Sequence, residues 1–333
     1  MPTRSRAHAS SYTAVEVCAG AGGQALGLEQ AGFDHLALVE LESWACQTLR
    51  HNRPEWNILQ ADLNEWAPEA SLKNVDLLSG GVPCPPFSVA GRQLGKDDER
   101  NLFDRAIDLV EELKPRAVMI ENVRGLLDPK FTSYRAEILE RLDALEYRGE
   151  WKLVHASDFG VPQLRPRAVL VALNDTDKQY FTWPTPAPDR TPTVGETLVD
   201  LMSEGGWTGA LQWAQQANKI APTLVGGSKK HGGPDLGPTR ARQAWSELGV
   251  TGTTIADAPP GADFEGKPRL TPKMMARIQG FPDAWQITGR KTNACRQIGN
   301  AFPPPVAKAV GLAILRAFRQ ADSQPSSEGG VRR

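Results

Sequence analysis

Three observations predict an α/β fold of the doubly wound, nucleotide-binding kind. Short apolar runs alternate with helix-spaced segments over the first half of the chain. The first run, Ala14 to Cys18, passes through Ala19-Gly20-Ala21-Gly22-Gly23 directly into a helix-spaced segment. A later run, Val75 to Leu78, ends in a proline-rich loop, Gly80-Gly81-Val82-Pro83-Cys84-Pro85-Pro86-Phe87-Ser88. Sheets of this kind gather their chemistry just past the strand ends, which is where Cys84 falls.

The elements follow in order. After the glycine turn, Ala25, Leu28 and Ala31 mark one face of a helix over 24–31. The glycines permit a tight turn and let backbone N–H groups approach a ligand. They do not complete G-x-G-x-x-G, which argues against a nicotinamide dinucleotide. Leu36 to Val39 forms a second strand ending in Glu40, a position that commonly takes a ribose hydroxyl pair. A helix over 44–51 stops before Arg53-Pro54, and Ile58 to Gln60 is a third strand, followed by Asp62. The prolines around Cys84 have fixed φ, so the thiol is carried on a stiff loop. Gly91 to Glu99 is polar and reads as a lid. Leu102, Ile107, Val110 and Leu113 line one side of a helix over 101–113. Ala117 to Ile120 is the next strand, with Glu121-Asn122-Val123 directly after it. A helix over 134–145 and strands at Trp151 to His155 and Ala168 to Leu173 complete this half. Between the last two lie Gln163, Arg165 and Arg167; two arginines so spaced could clamp an anion or be surface charge.

The texture changes after Asn174. Trp183 to Pro192 is rich in Pro and Thr and marks a boundary. The expected organisation is a first part of the catalytic domain at 12–180 and a smaller irregular domain at 181–268. A segment at 269–320 returns to the first domain, and a disordered tail follows at 321–333. The returning segment holds a helix capped by Thr271 with Pro272 in its first turn, then a long apolar helix over 306–318.

Composition excludes several classes. Hydrophobic content of 40% and charged content of 23% are those of a globular protein. No apolar run reaches membrane-spanning length, and the basic N-terminus lacks the apolar segment of a secretory signal, so a cytoplasmic location is expected. Cys18, Cys46, Cys84 and Cys295 form no C-x-x-C pair and no zinc spacing, so neither a metal site nor a disulfide framework is expected. Net charge is −1, yet Lys267, Arg269, Lys273, Arg277, Arg290, Lys291 and Arg296 stand against Asp283 alone in their stretch. Lys229, Lys230, Arg240 and Arg242 form a second basic group. Such asymmetry suggests a polyanion-facing cleft.

Taken together, the landmarks resemble the DNA (cytosine-5)-methyltransferase family, in particular the bacterial modification enzymes of type II restriction systems. Cys18 to Gly23 resembles its cofactor loop, and Pro83-Cys84 with Phe87-Ser88 its nucleophile motif. Glu121-Asn122-Val123 matches its E-N-V, and Gln163, Arg165 and Arg167 its Q-x-R-x-R. Arg269 to Pro282 and Gln297-Ile298-Gly299-Asn300-Ala301 with Pro303-Pro304 resemble its last segments. Two positions depart from the pattern: Cys18 replaces the usual Phe, and Pro85 the usual Gln.

The resemblance implies a Rossmann-like S-adenosylmethionine-dependent domain with a smaller target-recognition domain. It implies methylation of carbon 5 of a cytosine flipped out of duplex DNA, and protection from a cognate endonuclease. Cys84, Glu121, Arg165 and Arg167 would be catalytic, Cys84 through a transient adduct. Cys18, Ala19, Gly20, Ala21, Gly22 and Gly23 would hold the cofactor, with Glu40, Leu41, Asp62, Leu63, Gly81, Pro83, Leu102, Asn300 and Ala301. Ser88, Arg92, Thr223, Lys229, Lys230 and Arg240 would meet DNA. A monomer is expected, without membrane contact. A relative acting on RNA, a silent DNA-binding module and a dehydrogenase are the competing readings. The variable region of roughly ninety residues, far longer than a loop, favours duplex readout over the first.

Overall fold

A computed structural model describes residues 12–83, 100–186, 190–226 and 233–324. Cys84, Ser88, Arg92, Lys229, Lys230, the lid and the end of the tail lie outside the described residues. The first half gives β1 (Tyr12–Val17), α1 (Gly23–Ala31), β2 (Phe33–Glu40), α2 (Ser43–Asn52), β3 (Ile58–Gln60) and β4 (Leu77–Gly80). It continues with α3 (Arg100–Leu113), β5 (Ala117–Val123), α4 (Thr132–Ala144), β6 (Tyr147–His155), β7 (Pro166–Asn174) and the short α5 (Asp175–Lys178).

The seven strands form one sheet in the order β3-β2-β1-β4-β5-β7-β6. The five from β3 to β5 run parallel, while β7 is antiparallel to both β5 and β6. The order reverses at β1, whose neighbours are β2 and β4. Doubly wound sheets open a crevice beside such a switch point, outside the carboxyl ends of the strands. Because β7 runs the other way, its first residues meet the last residues of β5 at that edge, with Arg167 opposite Val123.

Gly22 sets the entry to α1. It caps the helix with φ of 80°, a left-handed conformation that suits glycine. A Cβ there would also press on Leu49 and Trp285. On α1, Gly27 brings the backbone of another helix close: a Cβ would lie 2.4 Å from the Pro304 carbonyl oxygen. That helix is the long one of the returning segment.

The second half is helical among the described residues. It comprises α6 (Val194–Ser203), α7 (Ala210–Gln216), α8 (Thr239–Glu247), α9 (Pro272–Ile278), α10 (Lys291–Asn300) and α11 (Pro304–Asp322). A capping box starts α6, with the Thr193 side chain accepting from Glu196 N–H and the Glu196 carboxylate from Thr193 N–H. Thr271 caps α9, where Pro272 takes the first position. Helix α11 lies on α1, where Phe318 packs among Phe33, Val310 and Ile314. The most apolar stretch within Lys291–Asp322 is 72% buried, so its length and hydropathy are those of a core helix.

The core has three parts. One lies under α3 and α4, another between the sheet and α11. The third joins Leu38 and Leu49 of the first half to Leu198, Trp213, Trp245 and Met274 of the second. The irregular region therefore shares apolar packing with the sheet domain rather than having a core of its own.

Candidate active site

A cavity of about 310 Å³ opens at the carboxyl edge of the sheet, beside the switch point. The glycine turn forms one wall, with Cys18, Ala19, Gly20, Ala21 and Gly23. Glu40, Leu41, Asp62 and Leu63 come from the ends of β2 and β3. Gly81, Pro83 and Leu102 close the β4 side, and Asn300 and Ala301 arrive from the end of α10. Of the residues the sequence proposes for a cofactor, Gly22 alone does not line the cavity; it shapes the turn instead.

Glu40 organises this wall. One carboxylate oxygen accepts Gly20 N–H and the other Glu42 N–H, each at 2.7 Å. Burial pushes its pKa up, and the two backbone donors oppose that shift. Asp62 accepts Asn64 N–H through one oxygen. Cys18 takes φ of 52°, and burial and then Glu40 push its thiol pKa up, a direction that disfavours the nucleophilic thiolate.

Glu121 lies at the opposite end of the cavity, inside the last turn of β5 pairing rather than beyond the strand. Its side chain shares a sheet face with that of Arg167, because Arg167 pairs with Val123 and side chains alternate. The result is an ion pair at 2.7 Å between two buried groups. Burial raises the Glu121 pKa, while Arg167 and then Arg165 pull it down; the net direction is up.

Arg165 departs from expectation. It is fully buried, and its guanidinium donates to the carbonyls of Leu224 at 2.9 Å, Gly299 at 2.6 Å and Ala301 at 2.9 Å. Neither an anion clamp nor surface charge describes it. Gln163 extends the same knot, donating to Gln279 Oε1 at 2.8 Å and accepting Leu224 N–H at 2.8 Å. Thr223 donates its hydroxyl to the Leu164 carbonyl, so its one donor is occupied within the protein. Close by, a Cβ on Gly299 would lie 2.3 Å from Gly226 N. The Q-x-R segment thus ties the second half to the rim of the cavity.

The basic stretch is less open than its composition suggests. Lys273 pairs with Glu204 at 3.0 Å, Lys291 with Asp257 at 2.6 Å, and Arg277 with Asp200 and Asp283. Apart from Asp283, the acids come from elsewhere in the chain, which a count within one stretch misses. Arg240 is exposed at the start of α8.

Several cavity residues were not proposed from the sequence, among them Trp44, Gln297, Glu16 and Gln24. Trp44, 40% exposed, lines it from the first turn of α2, with Gly289 against its ring. Gln297 reaches it from α10. Glu16 and Gln24, 1% and 4% exposed, line it from β1 and α1. The signal for Glu16 was available: it is an acid inside an apolar strand. Gln24 gave a weaker one, as a polar residue beside the glycine turn.

A parallel sheet reversing at β1, a glycine turn against a cavity and acids at the ends of β2 and β3 define a Rossmann-like methyltransferase. The description C-5 cytosine-specific DNA methylase matches residues 12–316. The chain belongs to that family, and it is a DNA (cytosine-5)-methyltransferase. It is 58% identical over 313 residues to the Type II methyltransferase M.NaeI of Lentzea aerocolonigenes, covering 92% of this chain and 76% of that one. It is 53% identical over 312 residues to the Type II methyltransferase M.NgoMIV of Neisseria gonorrhoeae, covering 93% and 99%. In fold it is similar to Spodoptera frugiperda DNMT2, with a TM-score of 0.64 at 19% identity over 92% of this chain and all of that one. It is also similar to S. pombe Dnmt2 methyltransferase, at 0.61 and 14% over 92% and 98%.

Proposed function

We propose that this chain methylates carbon 5 of a cytosine turned out of a specific duplex sequence, with S-adenosylmethionine as donor and Cys84 as nucleophile. The observation that carries the reading is Glu121, which lines the same cavity as the glycine turn and is paired with the buried Arg167 behind it.

The cavity suits the donor. Glu40 offers acceptor capacity for ribose hydroxyls and Asp62 for an adenine amino group, carried from the family's motif. Leu41, Trp44, Leu63 and Leu102 supply apolar wall. Gln24 keeps both amide atoms without a protein partner, an unusual condition for a buried side chain that a polar ligand would relieve. When bound, the donor supplies an electrophilic methyl group on sulfur.

Carbon 5 of cytosine is a poor nucleophile inside an aromatic ring. A thiolate bonding to carbon 6 breaks that aromaticity and makes carbon 5 enamine-like, and Cys is the side chain suited to the attack. The negative charge enters the ring. A protonated Glu121 can donate to ring nitrogen 3 and take up that charge, which fits a carboxyl whose pKa burial raises. Arg167 holds the carboxyl in place. Once carbon 5 carries the methyl group, loss of its proton and expulsion of the Cys84 thiolate release the product. Arg165 is a positioning residue, since its N–H groups serve carbonyls.

A stacked base cannot reach such a site, so it is everted at a cost of a few kcal/mol. The region over 181–268 would read the sequence, with Arg240, Lys229 and Lys230 on phosphates. Protection of host DNA from an endonuclease of the same specificity is the role suggested by the Type II relatives. The test is transfer of labelled methyl to a duplex library, followed by bisulfite sequencing. Label at one short sequence context, absent with Cys84→Ala and absent on tRNA, supports the reading. Turnover by Cys84→Ala contradicts it.

A further inference from the structure

Buried polar atoms normally find partners, and those that do not mark an unmet interaction. Gln24 is such a residue. The residue is 4% exposed, and neither Oε1 nor Nε2 has a hydrogen-bond partner among the described residues. Glu16 is 1% exposed, and its Oε2 is likewise without one. Both line the same cavity, Glu16 from the middle of the sheet on β1 and Gln24 from the first turn of α1. Two such groups on one wall make a polar floor with donor and acceptor capacity.

Strand order says which part of a ligand meets that floor. Glu40 and Asp62 lie on the β2–β3 side of the cavity, and Gly81, Pro83 and Glu121 on the β4–β5 side. β1 and α1 lie between them. A sulfonium donor has three arms: the adenosyl group, the reacting methyl and the amino-acid chain. With the first toward the acids and the second toward Glu121, the third falls over β1 and α1.

We propose that Gln24, backed by Glu16, binds the amino-acid end of the methyl donor, its amide oxygen accepting from the ammonium and its amide nitrogen donating to the carboxylate. The proposal rests on reading the cavity as the donor site. It explains why a side chain with two unmet hydrogen-bonding groups is kept in the interior: the free protein carries a cost that the ligand removes. It also makes the site selective for ligands that carry the amino acid.

The test compares two ligands on two proteins by calorimetry. S-adenosylhomocysteine has the amino-acid end, and 5′-deoxy-5′-methylthioadenosine lacks it. In Gln24→Met, which keeps the length of the side chain without its polar atoms, S-adenosylhomocysteine should bind about 10- to 100-fold more weakly, the range for hydrogen bonds to charged groups. Methylthioadenosine should bind both proteins alike. The ligand-free variant should melt at or above the wild-type temperature, because an unpartnered polar group has left the core. Equal affinity of variant and wild type for S-adenosylhomocysteine overturns the proposal. So does a parallel loss of both ligands, or a fall in melting temperature, since each marks a packing role. A wild-type protein that binds neither ligand overturns the donor-site reading itself, and the proposal with it.

Discussion

Glu121 and Arg167 meet because β7 runs against β5, which sets them diagonally on one face of the sheet. The proposed chemistry needs the Glu121 proton, and burial favours keeping it. Glu121→Gln should therefore cut kcat by about 10²- to 10⁴-fold in a single-turnover assay, the usual worth of acid catalysis. Since the raised pKa holds the proton to higher pH and loses it above, wild-type rate should decline on the alkaline side of that pKa. Gln should remove that limb of the profile. Glu16 carries a different sign of consequence. Its carboxyl is pushed well up by burial, so the folded state holds a proton that the unfolded chain loses above about pH 4.3. Stability should then fall with rising pH, by up to about 1.4 kcal/mol per unit, until the folded pKa is passed. Thermal melts of Glu16→Gln should exceed wild type by more at pH 7.5 than at pH 5. A gap that does not change with pH contradicts this account. Both acids are visible in the sequence, one after an apolar run and one inside it. What the sequence did not reveal was the fully buried Arg165, because nothing local distinguishes an arginine that meets carbonyls 59 to 136 residues away.

Among elements, the glycine turn and α1 were legible because their chemistry is local. Apolar spacing, a left-handed cap and small residues all occur within one stretch. The parallel strands were legible as apolar runs. The antiparallel β7 was not, since a strand buried on both faces is apolar throughout and its pattern carries no direction. Helix α10 was missed for the opposite reason. Ala294, Cys295 and Ile298 are its main buried apolar residues, and the helix depends on packing against α9. The α1–α11 contact depends on a missing side chain. Gly27→Ala would set a methyl 2.4 Å from the Pro304 carbonyl and 2.6 Å from Ala307 Cβ. Urea unfolding should show a loss of about 1–3 kcal/mol with an unchanged m-value, the cost of overpacking. An unaltered midpoint would mean that the two helices separate freely.

For the whole molecule, the second half is held to the first by apolar packing and by the Gln163–Arg165 knot. In the proposed reading, a recognition region fixed this firmly keeps register with the site it serves. Its DNA-facing charge is smaller than a tally of lysines and arginines implies, because Lys273, Arg277 and Lys291 already face acids. The salt dependence of duplex binding separates these groups. Arg240→Gln should lower the slope of log K against log salt by about 0.9, the value for one phosphate contact, while Lys291→Gln should leave it unchanged. Equal slopes for wild type and Arg240→Gln would remove Arg240 from the interface. The division between paired and exposed cations could not be read from the sequence, since Asp200, Glu204 and Asp257 lie on other segments.

The most direct test is to trap the enzyme on duplex DNA bearing 5-fluorocytosine at the target position, with S-adenosylmethionine present, and to map the attachment by mass spectrometry. Fluorine cannot leave as a proton does, so the covalent complex should persist, with the oligonucleotide bonded to the sulfur of Cys84 and absent from Cys84→Ala. Attachment to Cys18, Cys46 or Cys295, or none at all, would contradict the mechanism.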